Sequence, residues 1–397
     1  MHNLEAALRT YPWGSRTLLA QLRGTTSPAP TPEAELWFGA HPAAPSSING
    51  EPLDKVISAD PSAALGQRVE KAFDGQLPFL VKLLAAGEPL SIQAHPSRDQ
   101  AAAGFARENA LGLALDDPRR NYKDANPKPE IIVALTPFRA LAGFRPVSQT
   151  RELFEALSGP GGGLDRYSAM LVDAEPTESV RAVFTTLISL PGPLRKSLLA
   201  DVIAAAEHIG DAPEWIRDAA ETFLALAKRY PSDVGPLVAL MLNLTTLHPG
   251  EALYLAAGQP HAYLSGLGVE VMANSDNVLR GGLTSKHVDV PELVRVLDFT
   301  PRGHLRVPVR ESDGVVEYEL PVDEFEVSKH TLAKGEELSL LIDGPAILLI
   351  TSGHITNGDC VVGPGQGAWI PASEAPVSVV AQDDAVSYTH LTLPTTP

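Results

Sequence analysis

The spacing of hydrophobic residues changes twice along the chain. Residues 1–145 carry short apolar runs, among them 77–86, 90–94, 131–135 and 138–144, broken by Gly, Pro, Asn and Asp. Short runs at short spacing predict the strands of a sandwich or barrel. A polar, alanine-rich interval at 98–126 predicts a helix near 101–111 and then a long loop. From Ser148 to about Leu247 the period becomes helical, as in Trp215, Ile216, Ala219, Phe223, Leu226, Ala227 and Tyr230. Further helices fit 152–157, 179–190 and 194–208. Asp211 and Glu214 have capping-box spacing, with Pro213 beside the helix start. The run 159–163 lacks the Lys and Ser/Thr of a phosphate-binding loop and reads as flexible chain.

Strand character resumes at Glu251 with an internal echo. Residues 248–255 (HPGEALYL) resemble residues 363–370 (GPGQGAWI): a Pro-Gly turn, an acidic or amide residue, then an apolar strand. Such units recur in jelly-roll barrels, so two barrels are expected. In this register His261 falls opposite Pro376, which predicts that the second barrel has no metal ligand there.

Charge and composition narrow the function. Lys plus Arg number 31 against 48 Asp plus Glu, a net charge of −17, which argues against tracking a nucleic-acid backbone. The 32 Gly and 35 Pro fit a turn-rich, largely β protein. A single cysteine, Cys360, excludes an internal disulfide and a thiolate zinc site, and fits a reducing cytoplasm. The N-terminus lacks a signal-like apolar run, and no stretch reaches the ~18 apolar residues of a membrane span. Residues 387–397 are rich in Thr and Pro after an acidic stretch, and are expected to be a non-native tail outside the fold.

Three segments concentrate chemistry. In SIQAHP, Gln93 and His95 lie two apart and share a strand face. In NYKDANPKPE, a polar loop runs into a strand with Lys128 and Glu130 on one face. Residues 260–282 pack His261, Tyr263, Glu270, Asn274, Asp276, Asn277 and Arg280 between apolar runs. Gln93, His95, Glu130 and His261 together make a nitrogen and oxygen ligand set suited to zinc, with other divalent ions possible. His41, His208, His287, His304, His330 and His354 lack such partners, and His248 reads as structural.

The chain resembles type I mannose-6-phosphate isomerase (phosphomannose isomerase), a cupin-type zinc enzyme family, over nearly its whole length to about Asp384. The motifs are 11–15 (YPWGS), 35–42 (ELWFGAHP), 91–97 (SIQAHPS), 121–130 and 261–286. The resemblance implies zinc ligands at Gln93, His95, Glu130 and His261, a catalytic arginine at Arg280, and phosphate contacts at Ser91 and Lys82. Two motifs depart from the family pattern: Pro127 replaces the usual His, and Gly281 and Ser285 replace the usual Ala and Pro.

The expected architecture is mostly β with a helical insertion: two cupin-like jelly-roll β-barrels plus an all-α domain. A catalytic barrel takes 1–145 and 248–310, a helical domain 146–247, and a metal-free barrel 311–386. The implied reaction interconverts mannose 6-phosphate and fructose 6-phosphate through a cis-enediol, with one zinc ion per chain. Zinc and Arg280 are candidate electrophiles. Glu270 and Asp276 are candidate bases, and Lys128 and Tyr263 candidate proton shuttles. The expected partner is a small sugar phosphate, with no nucleic acid or membrane, and the chain is expected to be a cytoplasmic monomer. Two alternatives stay open: a cupin-type iron oxygenase, since two His and one Glu suit that metal face as well, and a non-catalytic sugar-phosphate sensor.

Overall fold

The structure is a computed structural model and describes residues 1–159, 161–303 and 306–391. Among these residues there are antiparallel sheets of ten, seven and four strands, a short two-stranded pair, and eleven α-helices. His304 and residues 392–397 lie outside the described residues, as does residue 160 of the 159–163 run.

The ten-stranded sheet is organised on the strand His261–Ala273. Its second half lies between Phe79–Ala86 and Glu130–Ala134, and its first half pairs with Phe138–Phe144 and with Gln93. Strand periodicity sorts the side chains. Phe79, Val81, Leu83 and Ala85 enter one core together with Ile131, Val133, Val269 and Val271. The alternate residues Lys82, Glu270 and Glu130 point to the opposite face. That first core is shared with the seven-stranded sheet, which contributes Tyr318, Ile347, Leu349, Trp369 and Tyr388. Each large apolar side chain buried there stabilises the joint by roughly 1.5–3 kcal/mol.

The helices expected between residues 146 and 247 are Val147–Ala156, Asp165–Ser168, Pro176–Ile188, Gly192–Glu207, Glu214–Arg229 and Gly235–Ala239. Their apolar faces pack on Ile92, Ala94, Ala262 and Leu279. These four alternate along their strands with Gln93, His261 and Arg280, so the helices fill the space behind the polar row. Contact is closest where Gly235 meets the strand Leu279–Gly282: a Cβ on Gly235 would lie 2.3 Å from the Leu283 nitrogen. Gly282 there has φ +127°, a conformation that favours glycine.

The internal echo folds into the same turn twice. Gly250 and Gly365 have φ +89° and +74°. Glu251 Oε2 accepts the His248 N–H at 2.8 Å, and Gln366 Oε1 accepts the Gly363 N–H at 2.9 Å. Strands Ala252–Leu255 and Gly367–Ile370 follow. An acidic or amide side chain at that position is what the turn requires.

Several expectations are corrected. Residues 387–391 are not outside the fold. The strand Ala385–Leu391 runs between Glu326–Leu332 and Ala346–Ser352, with Ser387, Tyr388 and Thr389 buried. Tyr388 supplies the apolar alternation that composition obscured. The first strand, His2–Leu4, pairs with Gly367–Ile370 of the other sheet rather than with its sequence neighbours. Two helices, Leu53–Ala59 and Pro61–Ala72, occupy a segment expected to be β. The second announces itself locally, because Asp60 caps the Ala63 N–H at 3.0 Å and Pro61 follows. The Asp211–Glu214 capping box does not form, because Pro213 takes the N-cap position in extended geometry and Glu214 becomes the first helical residue.

Candidate metal centre and substrate cavity

The register of the short strand Ile92–Ala94 builds the centre. Gln93 sits opposite His261 on one side and opposite Arg280 on the other, so the three share one face. Met272 opposite Glu130 brings the carboxylate in from the neighbouring strand. His95 Nε2 lies 3.3 Å from Glu130 Oε1, and His261 Nε2 lies 3.6 Å from Glu130 Oε2. All three side chains are buried, and their donor atoms lie within 4.8 Å of one another.

The hydrogen bonds fix the tautomers. His95 Nδ1 lies 2.8 Å from the Asn277 carbonyl, and His261 Nδ1 lies 3.1 Å from the Gln259 carbonyl. A carbonyl only accepts, so each Nδ1 carries the proton and each Nε2 presents a lone pair. Burial lowers both imidazole pKa values, that of His261 to about 4, against the pull of Glu130. Burial pushes the Glu130 carboxyl up, but Lys128, His95 and His261 outweigh it and hold it well below its usual range. Two lone pairs therefore face a carboxylate, and among the described residues His95 Nε2 is buried without a hydrogen-bond partner. A divalent cation at the centre would satisfy all three groups, and this donor set suits zinc.

The centre opens on a cavity of about 510 Å³. Its wall includes Ser91, Lys82, Gln93, Lys128, Glu130, His261, Tyr263, Glu270, Asp276 and Arg280. Ten of the eleven expected site residues thus face one space, and His95 is set behind Glu130. Lys128 Nζ lies 3.0 Å from Glu130 Oε1.

Lys82 was expected at a phosphate. It donates to Glu270 Oε2 at 2.9 Å and lies 3.9 Å from Glu35 Oε1. Burial would lower the Lys82 pKa, but Glu270, Glu35 and Glu130 raise it well above its ordinary value. Burial, together with Glu130 and Glu35, raises the Glu270 carboxyl against the pull of Lys82. Among the described residues the Tyr263 hydroxyl is buried without a partner, and burial beside Glu270 holds it well above the phenol range. The Ser91 hydroxyl accepts from Gln93 Nε2 at 3.3 Å.

Asp276 pairs with His41 (Nε2 to Oδ1 3.4 Å), not with Arg280 four residues on. That contact lowers its pKa. His41, which the sequence left without a partner, also stands edge-on to Trp37. Among the described residues Arg280 has no carboxylate within ion-pair distance, and burial lowers its pKa. Lys286 is lowered by burial and then by Arg280 and Lys123. This rim, completed by Thr284 and Ser285, carries two cations, Arg280 and Lys286, with no ion pair among the described residues.

Sequence reasoning missed Glu35, His41, Lys286 and the helix-borne wall residues Arg229 and Tyr230. Glu35, His41 and Lys286 lie inside the quoted motifs, which was the available signal. Arg229 reaches the wall through an ion pair with Glu88, and Tyr230 through a 3.1 Å hydrogen bond to the Pro89 carbonyl. Neither has a local signature.

A buried His–Glu–His centre, set in an antiparallel sheet and opening on a cavity with both cations and carboxylates, defines a metal-site enzyme of the small-molecule class. Comparison with known proteins refines the class. Residues 1–147 match the family model "Phosphomannose isomerase type I, catalytic domain", and residues 316–360 match "Phosphomannose isomerase type I C-terminal". The chain is 40% identical to the mannose-6-phosphate isomerase of Salmonella typhimurium, over 95% of this chain and 96% of that protein. It is 34% identical to the Homo sapiens mannose-6-phosphate isomerase, over 97% and 94%. A crystal structure of the Salmonella typhimurium enzyme bound to fructose 6-phosphate and zinc superposes with a TM-score of 0.90 at 38% identity, covering 99% of this chain and 100% of that one. The chain belongs to the type I phosphomannose isomerase family.

Proposed function

We propose that the protein is a zinc-dependent aldose–ketose isomerase that interconverts mannose 6-phosphate and fructose 6-phosphate. The observation that carries the proposal is the pair of neutral imidazoles aimed with Glu130 at one point on the wall of a sugar-sized cavity. Gln93, His95, Glu130 and His261 would hold the zinc, which when bound supplies polarisation of substrate oxygens.

The chain's own groups account for the rest. Isomerisation moves a proton between C1 and C2 and places negative charge on O1 and O2 in a cis-enediolate. Arg280 stands opposite Gln93 with no carboxylate among the described residues within ion-pair distance, so its guanidinium is available to that charge. Two carboxylates line the cavity. Asp276 is half-exposed and held ionised by His41, whereas Glu270 is engaged by Lys82. Asp276 is thus the better supported base, and Lys128 and Tyr263 are left to move protons among the sugar oxygens. The cationic rim of Arg280 and Lys286 with Ser91, Thr284 and Ser285 suits a phosphate dianion. Lys82 contributes to that group only if it leaves its carboxylates. Anchoring the phosphate lets remote binding energy place C1 and C2.

The repeated turn and the antiparallel strand orders support the finer reading of two jelly-roll units, 1–145 with 248–310 and 311–386, joined to a helical insertion at 146–247. A coupled assay with mannose 6-phosphate tests the function, run with chelator and with zinc restored. Turnover that is lost with chelator and recovered with zinc is expected. No turnover in zinc-loaded protein would overturn the proposal. Turnover unaffected by metal would overturn its zinc dependence.

A further inference from the structure

The loop behind the metal centre contains a fully buried amide, Asn277, which is 0% exposed. Its Oδ1 accepts the main-chain N–H of Lys123 at 2.7 Å and of Asp124 at 3.3 Å. Its Nδ2 is directed at the Asp124 carbonyl (2.9 Å), Asp124 Oδ1 (3.2 Å) and the Asn126 carbonyl (3.0 Å). Two donors on one side and three acceptors on the other leave a single orientation of the amide. Its main-chain N–H donates to Ser275 Oγ at 3.2 Å, and its carbonyl receives His95 Nδ1 at 2.8 Å. Ser275 Oγ in turn donates to Asp124 Oδ1 at 2.8 Å, and the Asp276 N–H donates to Asp124 Oδ2 at 2.9 Å.

One side chain therefore clasps two segments that approach the centre from different parts of the chain. Residues 123–126 lead within four residues to Glu130. Residues 275–277 supply the carbonyl that keeps the proton of His95 on Nδ1 and the lone pair of Nε2 aimed at Glu130. We propose that Asn277 is a positioning residue for the metal centre, locking the relative placement of His95 and Glu130 through the 123–126 segment. The inference rests on the zinc reading of the site and goes beyond its ligands. Groups that orient a metal-bound imidazole commonly change metal affinity by 10–100-fold when altered. Asn277→Asp keeps the shape but turns a carboxylate oxygen toward the three acceptors that the amide nitrogen now serves.

The test uses zinc-loaded protein, wild type and the variants Asn277→Asp, Asn277→Ala and Ser275→Ala. Zinc release into excess chelator is followed with a chromogenic indicator, and melting is measured with zinc and after stripping. Asn277→Asp should release zinc roughly 10–100-fold faster and narrow the melting gap between loaded and stripped protein. Ser275→Ala, which trims the clasp without burying a new charge, should shift both in the same direction by less. It decides the question if the Asn277 variants fail to fold. A purely structural role would lower both melting temperatures equally with release unchanged, and that result overturns the proposal. Wild-type protein that holds no zinc would overturn the metal reading itself, which is a separate and recognisable failure.

Discussion

Replacing Lys82 with Met isolates the buried charge triad. In the native protein the ammonium lies 2.9 Å from Glu270 and 3.9 Å from Glu35. At an effective dielectric of about 20 these contacts are worth roughly 6 and 4 kcal/mol before desolvation. Desolvation offsets most of that in the intact cluster, but removing one partner of a buried pair typically costs about 3–5 kcal/mol. Glu35 keeps its 2.7 Å bond from the Trp37 indole, so the loss falls mainly on Glu270. With an unfolding entropy near 2.1 cal/mol/K per residue, a loss of ~4 kcal/mol lowers Tm by about 5 °C for a chain of this length. The pH dependence has a definite sign. Burial already raises the Glu270 carboxyl, and losing Lys82 removes the strongest influence lowering it. A carboxyl with a raised folded pKa binds a proton that the unfolded chain has released, so stability declines as pH rises above about 4.3 toward the folded value. The full penalty is present above that value. Scanning calorimetry of both proteins from pH 5 to 8 at fixed ionic strength should show a Tm gap that widens with pH. A constant or absent gap would refute the triad. If Lys82 were instead engaged mainly with substrate phosphate, KM would rise with little change in Tm.

Four further outcomes are expected. Arg280→Ala should lower kcat by ~10²–10³ with zinc content and Tm retained, as when a fixed charge stabiliser is removed; near-normal turnover in zinc-loaded variant would exclude the role. Because burial lowers His261 to about 4, protons should not compete for that ligand near pH 6, so zinc affinity should stay nearly level from pH 7 to 5, and a tenfold loss per unit starting at 6.5 would contradict the assigned environment. The same shift makes stripped protein lose stability as pH falls from about 6.5 toward 4, because the unfolded imidazole takes up a proton that the folded one refuses. Truncation after Val386 removes Tyr388 and the rest of a strand paired on both edges, which should cost about 3 kcal/mol or more and lower Tm; unchanged melting would show that this pairing contributes nothing.

The sequence by itself determined most of what depends on local spacing, though not the helices Leu53–Ala59 and Pro61–Ala72. Strand and helix periods placed the site strands and most of the helices after Ser148, because burial of one face imposes a period of two or of 3.6 residues. Residue chemistry selected Gln93, His95, Glu130 and His261, and ten of the eleven expected residues line the cavity with the eleventh directly behind it. Tertiary structure alone decided pairings between distant segments. Lys82 carries the same charge wherever it lies in the chain, and only the register of Phe79–Ala86 against His261–Ala273 put it on Glu270. His41 looked inert until the fold set it against Asp276, more than two hundred residues away. Tail composition argued against structure, yet two neighbouring strands hydrogen-bond the strand Ala385–Leu391 on both edges, and Ser387, Tyr388 and Thr389 are buried. Local pattern is written in nearest-neighbour sterics and periodic burial, whereas an ion pair, a metal cluster or an amide clasp depends on distances set by the assembled sheet.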